Sequence, residues 1–180
     1  KKDLEKVLNT FANVLDEIFP KQEIEVILLG GLAMISYGAN CRTLDIDCEL
    51  HGKTNFLLKQ MQMLNQRLRN YNLPADIGED VSCWSMINLP PGYQERKKLF
   101  LKKGLISFYV LHPLDLLISK LRIGRNQDFE DAKYLVRKFG LKKNEIKKMV
   151  RQTINVSPKS TEILRFKKVV QFFLKELESK

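Results

Sequence analysis

Cysteine, histidine and tryptophan are scarce in this chain, which removes several chemistries at once. Of 180 residues, three are Cys, two are His and one is Trp. Cys41, Cys48 and Cys83 are odd in number and form no C-x-x-C pair. That argues against a disulfide framework and a structural zinc site, and for a reducing compartment, the cytoplasm. His51 and His112 fall at expected turn and cap positions, so no Ser-His-Asp or Cys-His arrangement emerges and no covalent nucleophile is expected. Long apolar runs are missing too. Val26–Ile35 is interrupted by Gly30–Gly31 and falls short of the roughly 20 residues a spanning helix needs. The opening KKDLEKVLNTFANVLDEIF is charged throughout and reads as an amphipathic helix, not a secretory signal, so no membrane partner is expected. There is no internal repeat and no low-complexity stretch.

Acidic residues thin out in the second half. Residues 1–90 carry 9 Lys/Arg against 12 Asp/Glu, and residues 91–180 carry 22 against 9, within a formal charge of +10. A mildly acidic half joined to a strongly basic one suits metal chemistry at one end and a polyanionic partner, nucleic acid, at the other. Basic helices that are simply solvated faces would give the same totals. With 44% apolar residues the chain can build an ordinary core.

The informative stretch is LLGGLAMISYGANCRTLDIDCEL, Leu28–Leu50. An apolar run ends in Gly30–Gly31, a short helix follows, and Gly38 and Asn40 stop it. From Thr43 the residues alternate. Leu44, Ile46, Cys48 and Leu50 share one face; Thr43, Asp45, Asp47 and Glu49 share the other. Carboxylates two apart on a strand, with Cα atoms about 6.6 Å apart, can swing onto one hard cation. Mg²⁺ takes oxygen ligands and keeps positions open for water and phosphates. Glycines at a helix start let backbone N–H groups approach a phosphate. A solvated strand edge is the commonplace meaning of D-x-D; the upstream Gly-Gly turn and nearby Arg42 favour the metal reading.

Gly-Gly, a short helix and R-x-x-D-x-D on a strand resemble the signature of the nucleotidyltransferase (polymerase-β-like) superfamily. A finer likeness is to bacterial nucleotidyltransferase-like families allied to the AbiEii abortive-infection toxins. Three segments carry it: GGLAMISYGANCRTLDID, WSMINLPPGYQER and LHPLDLLISKLRIGRNQDFEDAKYL. The last is similar to a K…R-x-K-D-x-x-D motif, here Lys120, Arg125, Asp128 and Asp131, with Gln127 where a basic residue is commoner. Together they cover most of residues 25–140. The resemblance implies that Asp45 and Asp47 ligate Mg²⁺ and that Gly30 and Gly31 face the phosphates. It places Arg42, Thr43, Lys120, Arg125 and Asp128 at the nucleotide, and Lys120 and Asp131 with the two strand acids in catalysis. It also implies a third carboxylate near Asn72–Asp80, with Asp76 and Asp80 as candidates; a turn-forming Asp is the plainer meaning of either.

Elsewhere the pattern predicts helices over Lys2–Phe19, 53–71, from Pro113 to Gly124 with His112 before it, from Asn126 as a cap, and over Leu141–Thr153 and Lys159–Leu177. Strands are expected at Glu23–Leu29 and Val81–Leu89, with a hairpin of Lys97–Leu101 and Leu105–Leu111; Asn72–Asp80 reads as a loop. Trp84 is expected in the core, with base stacking as its other use. Arg96 meets either a phosphate or a structural carboxylate.

The expected fold is α/β: a small mixed nucleotidyltransferase-type sheet flanked by helices (residues 1–111) and a C-terminal helical portion packed on it (residues 112–180). The expected function is Mg²⁺-dependent transfer of a nucleotide from a nucleoside triphosphate to an acceptor, RNA or tRNA first, with a toxin role and a cognate antitoxin implied by resemblance. The competing reading is a non-catalytic nucleic-acid- or protein-binding module on the same scaffold.

Overall fold

The computed structural model describes residues 2–40 and 45–178. The fold is mixed α/β, with a five-stranded mixed sheet and, among the described residues, seven α-helices. The chain divides into two compact units, residues 1–80 with 97–110, and residues 81–96 with 111–180.

The first is an α/β unit. Its strands are β1 (Ile24–Leu28), β2 (Ile46–Gly52), β3 (Ala75–Gly78), β4 (Lys98–Lys103) and β5 (Ile106–Val110), in the spatial order β3-β2-β1-β5-β4. β1 runs antiparallel to β2 and parallel to β5; β2 and β3 are parallel, β4 and β5 antiparallel. Its helices are α1 (Lys2–Ile18), α2 (Gly30–Ser36) and α3 (Leu58–Asn70). Strand alternation gives the sheet one apolar face. Ile24, Val26, Leu28, Ile46, Cys48, Leu50, Ile106 and Phe108 are all buried there. Helical spacing puts Leu4, Leu8, Phe11 and Leu15 of α1 in the same core, and the Phe11 and Phe108 rings lie 5.9 Å apart. Each such side chain contributes about 1.5–3 kcal/mol by leaving water. The opposite face carries Glu25 and Ile27 of β1, Asp47, Glu49 and His51 of β2, Asp76 of β3, and Ser107 and Tyr109 of β5, all in register with one another.

The second unit is helical: α4 (Pro113–Ile123), α5 (Asn126–Phe139), α6 (Lys143–Val156) and α7 (Thr161–Glu176). His112 caps α4, its Nδ1 accepting from the Leu114 N–H at 3.3 Å, and Pro113 occupies the first turn. Gly124 ends α4 in the left-handed region, φ 68°. The start of α5 differs from expectation. Arg125 is its cap residue, and the Asp128 carboxylate reaches back to accept from the Arg125 N–H at 3.1 Å. Leu116, Leu117, Leu121, Leu135, Ile146, Phe166 and Phe173 supply the buried faces.

Beyond the α5 cap, five expectations need correction, the first being that His51, expected in a turn, lies within β2 opposite Glu25. Ala75–Gly78, within the expected loop, is a strand, because β2 supplies a parallel partner that no local pattern reveals. Val81–Leu89 is not a strand: Val81–Trp84 forms a 3-10 turn and the rest is irregular. Its buried Val81, Ile87 and Leu89 belong to a loop tied down by Asn88, whose N–H donates to Ser157 Oγ at 2.9 Å and whose Nδ2 donates to Val156 O at 2.8 Å. Trp84 is 45% exposed, outside the core. Finally α3 begins at Leu58, not Lys53; the Gln60 side chain accepts from the Leu57 N–H at 3.0 Å and fixes that start. No helix among the described residues is long and apolar enough to cross a membrane.

Candidate active site

In the α/β unit the glycine turn and the strand acids meet. Gly30 follows β1 at φ 51°, a conformation that an L side chain rarely adopts. A Cβ placed on it would lie 1.8 Å from Asp47 Oδ2 and 3.1 Å from Asp47 Cβ. The glycine is therefore required twice, for the backbone turn and for the carboxylate that lies against it. The Leu29 N–H donates to the Asp47 carbonyl at 2.8 Å and locks the two segments together. Gly31 is buried within α2 along with Leu32, Ala33 and Met34. Asp45 is exposed and precedes the first residue of β2; Asp47 is half-buried.

β3 adds what the local pattern did not show. Asp76 pairs with Asp47 in the parallel register, so the two carboxylates leave the same face of adjacent strands about 4.7–4.9 Å apart. Asp76 is exposed. Asp80 lies four residues further along the chain, beyond β3. Arg42 and Thr43 fall outside the described residues. Among the described residues no three His, Cys, Asp or Glu side chains converge into a metal-holding group. The donor chemistry nonetheless fits Mg²⁺, which is usually held by one or two carboxylates together with substrate phosphates and water rather than by a protein cage. Cys48, on the far face of β2, is buried, and burial pushes its thiol well above the usual range, with Asp47 and Glu49 adding to the shift. A protonated core thiol there is a packing group.

The helical unit holds a second charged cluster. Lys120 of α4 is buried, its Nζ 2.6 Å from Asp131 Oδ2 and 3.5 Å from Asp128 Oδ1 on α5. Gln127 Nε2 donates to Asp131 Oδ1 at 3.0 Å, so the residue that departs from the motif steadies the acid partner of the lysine. Asp131 Oδ2 has the ammonium in contact but no well-aligned hydrogen-bond donor. Arg125 is exposed. Burying an ammonium is costly unless carboxylates compensate it, and here two do. The three motif residues Lys120, Asp128 and Asp131 are thus brought together.

Arg96 meets the structural carboxylate. Its Nε and Nη2 bond Asp115 Oδ2 and Oδ1 at 2.9 and 2.7 Å, and Nη1 donates to Pro91 O at 3.0 Å. Asp115 is fully buried, and its hydrogen bonds raise the guanidinium pKa further. Only the acidic first-turn position of Asp115 hinted at this anchor. Sequence reasoning also missed the pairing of Glu49, which is fully buried with its Oε1 against His51 Nε2. Both sit two apart on one strand face, which was the available signal.

A crystal structure of an antigenic nucleotidyltransferase-like protein from Paracoccidioides brasiliensis is similar, with TM-score 0.49 and 16% identity over 98% of this chain and 88% of that one. No curated protein matches. The model of the family described as nucleotidyltransferase of unknown function (DUF6036) matches residues 5–176, so the chain belongs to that family.

Proposed function

We propose that the protein is a Mg²⁺-dependent nucleotidyltransferase that moves a nucleotide from a nucleoside triphosphate to an acceptor hydroxyl. The observation that carries this reading is the interlock of Gly30 with Asp47 and the register of Asp47 with Asp76. Asp47, with either Asp45 or Asp76 as its second carboxylate, would hold the metal, and Asp76 is preferred over Asp80 because it stands opposite Asp47. When bound, Mg²⁺ supplies positive charge to the triphosphate and acidity to the attacking hydroxyl. The chain's own contribution is positioning. The Gly30 turn lets the phosphate chain approach the backbone, and the two in-register carboxylates fix where the cation can lie. Lys120, Arg125 and Asp128 form the nucleotide-side group of this proposal. Within the helical unit, Asp128 and Asp131 hold the Lys120 ammonium in one place.

The proposed acceptor is RNA, tRNA first. The excess of 22 Lys/Arg over 9 Asp/Glu in residues 91–180 supports a polyanionic partner. Kinship with AbiEii-type toxins, action as a toxin held by a cognate antitoxin, and a cytoplasmic setting belong to the same proposal. The test is incubation of the purified chain with total RNA, Mg²⁺ and each α-labelled triphosphate in turn. Label should move into one RNA size class. Replacing Asp47 and Asp76 by Asn should abolish transfer while far-UV circular dichroism stays unchanged. Label transfer by the double variant at the wild-type rate rejects the assignment.

A further inference from the structure

The polar sheet face of the α/β unit does not end at Asp47. Two rows further along β2 it opens into a cavity of about 490 Å³, within the range of small-molecule sites. The floor is one row of registered side chains, one per strand: His51, Glu25, Ser107 and Lys102. Hydrogen-bond acceptors and donors therefore recur at the strand spacing of about 4.8 Å. One wall is the Tyr109 ring, with Lys97 Nζ 4.8 Å from its centroid.

Two features show a built site rather than a dent. The fully buried Glu49 lies one row inward and holds His51, whose side chain is 33% exposed at the cavity. A buried carboxylate that engages an exposed imidazole sets the orientation of that ring. The lining charges also cancel. Glu23 pairs with Lys53 at 2.6 Å, Glu25 pairs at 2.6 Å with Lys97 just outside the lining, and the charge of Lys102 is balanced by the buried Glu49 behind His51. Such a lining gives little Coulomb attraction to a compact ion of either sign. It rewards a neutral ligand with many hydrogen bonds, and a carboxylate beside a hydroxyl is well suited to adjacent hydroxyl groups.

We propose that this cavity binds a small neutral molecule with vicinal hydroxyls, of sugar or nucleoside size. Glu25 and Ser107 take the hydroxyls, His51 donates or accepts at one end, and Tyr109 packs against the ring. The cavity is four residues along β2 from Asp47, about 13 Å at strand rise, so the molecule does not share the Asp47–Asp76 position. The inference stands on the α/β unit and does not depend on nucleotide transfer.

Saturation-transfer NMR and titration calorimetry on the full chain test it, with adenosine, uridine, their 2′,3′-dideoxy forms, methyl riboside and glucose as probes. At least one diol should bind with millimolar affinity or better, and its dideoxy form at least about tenfold more weakly, the scale of hydrogen bonds to a charged group. Glu25→Gln should weaken binding by a similar factor. Leu105→Trp, which narrows the mouth without touching an ion pair, should abolish it, and Asp47→Asn should leave it unchanged. Binding by nucleosides alone, or equally by glucose, supports the proposal and names the source of the diol. Absence of binding by every diol at millimolar concentration, binding that survives Leu105→Trp, or binding lost in Asp47→Asn overturns it. The last result moves the ligand to the carboxylate pair, and the transfer assay on wild-type protein then judges that site separately.

Discussion

Two pairs of aspartates divide this molecule. Asp47 and Asp76 face each other across neighbouring strands of the α/β unit, at its solvent-facing edge. Asp128 and Asp131 sit three apart on α5 of the helical unit, buried, with Lys120 between them. The difference is one of self-sufficiency. The helical pair brings its counter-charge within the same unit and can be sealed from water, because an ammonium in contact offsets the desolvation. The strand pair lies nearer the surface, Asp76 exposed and Asp47 half-buried, and in the proposal above it takes a cation from outside. Carboxylates of the first kind position a side chain; carboxylates of the second kind can take a ligand.

The strongest way to break this comparison is Lys120→Met. It leaves Asp128 and Asp131 buried without their cation and should destabilise the fold by about 3–5 kcal/mol, measured by urea unfolding. If the loss is negligible, the helical cluster is not a compensated pair. Gly30→Ala tests the other pair. The left-handed backbone costs about 1–2 kcal/mol for any L residue, and the new Cβ must displace the Asp47 carboxylate. Transfer should fall about 10²–10³-fold, the scale of removing one preorganised electrostatic group. Gly140→Ala is the control. It has φ 62° with nothing within 4 Å of the added Cβ, so it should carry the strain and keep the transfer rate.

A smaller effect concerns β2 itself. The Cys48 pKa is raised in the folded state, so its contribution to stability is complete below the unfolded value of about 8.5 and is lost as pH rises above it. Unfolding free energy should drop by up to about 1.4 kcal/mol per pH unit in that window from this group, and Cys48→Ala should remove that slope. Smallest of all, Gln127→Ala deletes one hydrogen bond to Asp131 and should cost about 0.5–1.5 kcal/mol, with Lys120 still paired.

What was legible in the sequence follows the range of the interaction that builds it. α1 and α4 to α7 show in their spacing because each buries one stripe, and His112, Pro113 and Gly124 mark the ends of α4 locally. The Gly30 turn and the strand with Asp47 were legible for the same reason. β3 was not, since four residues that follow Pro74 and end in Gly78 look like a turn until β2 lies beside them. Trp84 and Val81–Leu89 misled because apolar spacing there reports tertiary burial of a loop, not a strand. The face shared by Asp128 and Asp131 was readable, but their capture of Lys120 depends on how α4 packs on α5. Glu49 was legible only as the next residue of the polar face; its burial against His51 is a property of the assembled sheet.

The most direct measurement of the central claim is thermal unfolding with Mg²⁺, with each triphosphate, and with both together. Linkage predicts that the pair raises the midpoint well above either alone, a ligand at a hundred times its Kd adding about 2.7 kcal/mol. Asp47→Asn combined with Asp76→Asn should erase that rise. An undiminished rise in the double variant contradicts the account, because the metal and phosphates would then be held somewhere else.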